Sequence, residues 1–138
     1  MACLVVVSLV AIPAAVALAS STMTAPATAH LHARITASAT DLKPGTYRLV
    51  LDKDTTKPGA GAPEGCAAAF GPALKAQGGR VTITGTIPAR LACNSAAGPV
   101  EGYMTTTSGS YRLEIGDYQP PIFSLNQSFV ARTIHLTR

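Results

Sequence analysis

The stretch Tyr47-Arg48-Leu49-Val50-Leu51-Asp52 decides the fold. Tyr47, Leu49 and Leu51 fall on one side of an extended chain, and Arg48, Val50 and Asp52 on the other. A side-chain period of two marks a strand with one face on a core. The same period recurs on both sides of it. Upstream, 34–40 sets Ile35, Ala37 and Ala39 against Arg34, Thr36, Ser38 and Thr40. Lys43-Pro44-Gly45 supplies a turn between the two runs, Pro fixing φ and Gly permitting positive φ. Downstream, 54–65 is rich in Gly, Pro and Thr and reads as a loop. After Gly78-Gly79, Val81 and Ile83 alternate with Thr82 and Thr84, and Tyr111, Leu113 and Ile115 alternate with Arg112 and Glu114. Pro120-Pro121 breaks the chain before a last β-rich run over 129–137. Short alternating runs with frequent turn signals predict a mainly β domain, a small antiparallel barrel or sandwich. Tyr47, Leu49, Leu51, Val81, Ile83, Tyr111, Leu113 and Ile115 are expected to share its core.

Helix is expected once at most. Residues 67–77 contain Ala and Leu but are interrupted by Gly71-Pro72. Residues 99–107 place Pro99 and Glu101 where a first helical turn favours them, against Gly102 and Thr105-Thr106-Thr107.

The 138 residues suffice for one domain. Hydrophobic residues make up 47% and charged residues 13%, yet the averages mix two segments. Residues 1–29 hold no Asp, Glu, Lys or Arg, and the first charge is Arg34. Nearly continuous Leu, Val, Ile and Ala give way to Ser, Thr, Ala and Pro, the order of a secretory signal. Two small-x-small cleavage sites fit, Ala17-Leu18-Ala19 and Ala27-Thr28-Ala29. The second is preferred because Pro26 ends the apolar run before the bond. The expected plan is therefore a signal over 1–29, an N-terminal extension over 30–44 with one strand, and a β-rich domain over 45–138. Export removes Cys3 and leaves no stable membrane span.

Cys66 and Cys93 remain, and an even pair in an exported chain reads as a disulfide. With no Cys-x-x-Cys and no nearby His, they make a poor zinc site. Closing that loop removes roughly 3.5 kcal/mol of unfolded-chain entropy on the chain-entropy model.

The residues around the two cysteines resemble META-domain (HslJ-like) proteins. Gly65-Cys66-Ala67-Ala68-Ala69-Phe70-Gly71 is similar to the Gly-Cys-Asn-x-Phe-x-Gly motif of that family. Ala89-Arg90-Leu91-Ala92-Cys93 is similar to its Thr-x-Met-Ala-Cys. Glu101 falls near the family's acidic helix residue, Ser110-Tyr111-Arg112-Leu113-Glu114 resembles its next strand, and Gly45-Thr46-Tyr47 resembles its opening Gly-x-Trp. The resemblance implies a small exported β-barrel-like domain with one helix and no established catalysis.

Composition excludes some classes directly. The net charge is +4, but Lys and Arg are scattered singly, which argues against nucleic acid as partner. Aromatics are 5% and Trp is absent, which disfavours sugar-stacking platforms. Nucleophilic catalysis needs a base held by a third group, and only His30, His32 and His135 could serve. His135 lies among Thr133 and Thr137 as an ordinary cross-strand residue would. Gly109-Ser110-Tyr111 is no nucleophile elbow, Asp52 and Asp54 read as a solvated strand end, and Gly59-Ala60-Gly61 lacks the Lys and helix of a phosphate loop. No catalytic residue, cofactor or resident metal is expected.

The expected function is a secreted or envelope non-enzymatic domain with an unspecified partner, a protein among the candidates, acting as a monomer. The alternative is a secreted protease inhibitor presenting loop 54–65. Asn126-Gln127-Ser128 is a glycosylation sequon. A speculative metal site rests on His30 and His32. Cleavage after Ala29 leaves a free amine at His30 and an imidazole two residues on, which with two amides form a four-nitrogen plane suited to Cu(II) or Ni(II).

Overall fold

The computed structural model describes residues 21–53, 65–94, 100–117 and 129–138. Most of the leader, loop 54–64, Pro120-Pro121 and the Asn126 sequon lie outside them. The described chain is all strand and turn. In order these are β1 (Thr22–Thr24), β2 (Thr28–His30), β3 (Arg34–Thr40), β4 (Thr46–Lys53), β5 (Gly65–Lys75), β6 (Val81–Thr86), β7 (Arg90–Asn94), β8 (Val100–Thr105), β9 (Gly109–Gly116) and β10 (Phe129–Thr137). They form two sheets, β1-β3-β6 and β2-β10-β9-β4-β5-β7-β8. Every pairing is antiparallel except β2 with β10, which is parallel.

The sheets enclose one core, and the period-two residues make it. Tyr47, Leu49 and Leu51 of β4, Val81 and Ile83 of β6, and Tyr111, Leu113 and Ile115 of β9 are all buried in it. β3, within 30–44, adds Ile35, Ala37 and Ala39 to the same core. The first strands belong to the fold as well. β1 pairs with β3, and Met23 is buried to 6% exposure in the core. β2 lies along β10, so the N-terminal segment runs from the smaller sheet to the larger one.

Two stretches of helical composition are strands instead. Residues 67–77 lie largely in β5, and the described part of 99–107 lies largely in β8. Helix propensity differences are tenths of a kcal/mol per residue, and sheet pairing overrides them. Near Gly71-Pro72 the β4–β5 register shifts between Tyr47 and Leu49, a bulge that accommodates a proline inside a sheet. There β5 runs hard against β6. A Cβ on Gly85 would lie 2.8 Å from Phe70 Cδ2 and 2.9 Å from the Gly71 nitrogen.

The turn at 43–45 forms without positive φ at Gly45; the left-handed residue of that connection is Asp41, at φ 58°. Between β5 and β6, Gly78 and Gly79 take φ 58° and 73°, and Gln77 and Arg80 exchange both backbone hydrogen bonds around them. Two consecutive positive φ values are the signature of a type I′ hairpin. Two tyrosines tie strand starts back to the preceding turns. Tyr47 donates to the Lys43 carbonyl at 2.8 Å, and Tyr111 donates to the Thr107 carbonyl at 2.9 Å.

The outward half of β4 departs from simple alternation. Val50, on the face opposite Tyr47, Leu49 and Leu51, is 1% exposed and packs with Ala67 and Ala69 in a second cluster on the far side of the sheet. Glu114 on the same face is 2% exposed.

Candidate binding cleft

On this outer face, Asp52 of β4 stands opposite Arg112 of β9, which stands opposite Thr133 of β10. A one-residue slip of any strand would turn that row into the core. Arg112 forms salt bridges with both Asp52 and Glu114. Its side chain is 50% exposed, whereas the Glu114 side chain is nearly enclosed. Partial burial works against the Arg112 charge, but the carboxylates of Glu114 and Asp52 outweigh it and raise the guanidinium pKa.

The row borders an open cleft of about 280 Å³ lined by Asp52, Lys53, Ser110, Tyr111, Arg112 and Thr133. Lys53, at the end of β4, places its ammonium 4.5 Å from the Tyr111 ring centroid and donates to the Ser110 carbonyl at 3.3 Å. The Ser110 hydroxyl meets His135 Nδ1 at 2.9 Å across the β9–β10 pair. Two cations, one carboxylate and hydroxyls able to donate or accept therefore surround the opening, on three hydrogen-bonded strands.

The cysteines are joined as the sequence predicts. Cys66 of β5 and Cys93 of β7 are direct cross-strand partners with Cα atoms 4.0 Å apart. The two histidines of the amino-terminal motif are not at the cleft. His30 ends β2, its Nδ1 lying 3.0 Å from the Arg138 carbonyl oxygen and 3.2 Å from Thr137 Oγ1. His32 sits in the following turn at φ 63°. Among the described residues, no group of three His, Cys, Asp or Glu side chains gathers closely enough to hold a metal ion. Asp52 is engaged by Arg112 at the strand end, and Asp54 lies outside the described residues.

Neither the Ser110–His135 contact nor the Asp52–Arg112–Glu114 cluster carries a sequence motif. Their only signal was the polar half of the alternation in β4, β9 and β10. The helix that the META-domain resemblance implies near Glu101 is strand β8, whose Tyr103 is 67% exposed with Arg90 4.9 Å from its ring centroid.

Fold and bridge together define a small disulfide-braced β-sandwich. Among solved structures the chain is similar to macromomycin, with a TM-score of 0.54 and 20% identity, over 86% of this chain and 100% of that one. This likeness is one of fold. No family model matches the sequence, and no curated protein matches it either.

Proposed function

We propose that the chain is an exported, non-enzymatic binding domain whose cleft seats a small organic ligand rich in oxygen acceptors. The observation that carries this reading is the cleft itself, with Lys53, Arg112, Ser110 and Thr133 around one opening on paired strands. Groups held by a sheet lose little freedom when a ligand arrives. Export is supported by the uncharged, apolar leader and by the disulfide. A non-enzymatic role is supported by His135, whose Nδ1 is held by Ser110 in a cross-strand hydrogen bond and which, among the described residues, has no third group to orient its ring as a base. The META-domain reading belongs to this proposal too, and what supports it is the sequence around Cys66 and Cys93.

Ligand-observed NMR with a mixture of small carboxylates, phosphate esters and polyols tests the reading. Binding that shifts Ser110 and Thr133 resonances and weakens at least tenfold in Lys53→Met supports it. Absence of binding at millimolar concentration refutes it.

A second reading, a protease inhibitor, is favoured by the anchorage of loop 54–64. The loop leaves β4 at Lys53 and rejoins at β5, where Lys53 pairs with Cys66 and Cys66 is bridged to β7. Inhibition across a protease panel, lost when the loop is replaced by a short Gly-Ser linker, would favour it over the cleft.

A further inference from the structure

Two small-x-small sites compete for leader removal, and only one of them leaves the sandwich whole. The bond after Ala29 lies inside β2. That strand pairs His135 with Thr28, Leu136 with Ala29 and Thr137 with His30. Its flanks are pinned as well, because the His135 amide donates to the Ala27 carbonyl at 2.9 Å and the Leu31 amide donates to Thr137 at 2.8 Å. A cut there removes all of β1, and with it the pairing of Met23 to Ala39 on β3. It also removes a core side chain and the carbonyl of Met23, which accepts a hydrogen bond from Arg132 Nη1 at 3.1 Å. β3 would then become the edge strand of its sheet, and edges so exposed invite non-native pairing.

The bond after Ala19 has none of these costs. It precedes β1, and described contacts begin two residues beyond it: Ser21 Oγ donates to the Asp41 carbonyl at 3.0 Å, and the Thr22 and Thr40 hydroxyls meet at 2.6 Å. We infer that the chain is processed between Ala19 and Ser20, so that β1 and β2 belong to the mature protein. The inference rests on the export reading above. The step is hydrolysis by an endopeptidase that accepts small residues one and three places before the bond. Water adds across the Ala19–Ser20 amide, its oxygen ending on the Ala19 carboxylate and a proton on the new Ser20 amine. One consequence is chemical. His30 then has no free amine, and the four-nitrogen Cu(II) or Ni(II) site at the terminus does not form.

The test is expression of the full chain in a secreting host, with the first residue of the secreted protein read by mass spectrometry. Ser20 is expected, and any other first residue overturns the inference. Full-length chain retained in cells, with none secreted, overturns the export reading as well, which separates the two failures. Two variants keep the result independent of folding. Ala17→Glu, in the leader, is expected to block processing. Ala27→Glu, at an exposed position, is expected to leave the first residue unchanged. The reverse pattern places the cut after Ala29 and overturns the inference.

Discussion

Cys66 and Cys93 face each other across β5 and β7, 27 positions apart in sequence and directly paired in register. The bridge therefore fastens strands that already lie side by side, and its main effect falls on the unfolded chain. The double variant Cys66→Ala/Cys93→Ala is expected to lose about 2–4 kcal/mol in guanidinium unfolding, as for other disulfides closing loops of this length. An unchanged unfolding midpoint would refute that.

Arg112 holds two carboxylates at once, Asp52 on the neighbouring strand and Glu114 two residues along its own. Arg112→Ala is expected to destabilise by about 1.5–3 kcal/mol, the range for hydrogen bonds to charged groups. Arg112→Lys is expected to recover only part of this, because an ammonium lacks the planar fork that spans both acids. Equal stability of the lysine variant and the wild type in urea melts would show that the fork is not what matters.

Period-two runs such as Tyr47-Leu49-Leu51 were legible because one buried face imposes that spacing. The disulfide was legible because export leaves two cysteines. The burial of Val50 is not legible in the sequence, because a strand covered on both sides and a strand covered on one can carry the same residues. β1 and β2 are not legible as strands, since Thr, Ala and small apolar residues suit a leader as well, and it is pairing with β3 and β10 that makes them strands. The site was the least legible part. Ser110 meets His135, and Asp52 meets Arg112, through strand register. Asp52 and Arg112 are 60 positions apart and Ser110 and His135 are 25 apart, separations at which sequence alone does not fix register.

The crossing of β5 over β6 gives a ranking of glycine variants. Gly85→Ala forces a methyl to within 2.8 Å of the Phe70 ring and 2.9 Å of the Gly71 backbone. Relief requires the strands to separate, so a loss of about 1–3 kcal/mol is expected, the usual cost of overpacking. Gly78→Ala meets nothing within 4 Å and suffers only from its φ of +58°. Its expected loss is about 1 kcal/mol, the cost of a left-handed L-residue. Thermal melts in which Gly78→Ala is the more damaging of the two would contradict the close approach.

Tyr47 couples the fold to alkaline pH. Burial, and next the charge of Asp117, raise its pKa above the ordinary value of 10.0. The native state therefore keeps the phenolic proton to higher pH than the unfolded chain does. The resulting stability is fully present below pH 10 and is lost as pH rises from there through the native pKa. The hydroxyl also donates to the Lys43 carbonyl, a bond that its ionised form cannot make. Tyr47→Phe is expected to lose about 1 kcal/mol at neutral pH, the net worth of one hydrogen bond. It should also unfold less steeply with pH above 10 than the wild type. Absorbance at the phenolate band, followed with circular dichroism across the alkaline range, gives both quantities. If one tyrosine of the native protein titrates late and its ionisation coincides with unfolding, and if Tyr47→Phe removes that late step, the assignment holds. If all tyrosines titrate together before the fold is lost, the Tyr47 hydroxyl is not buried as described.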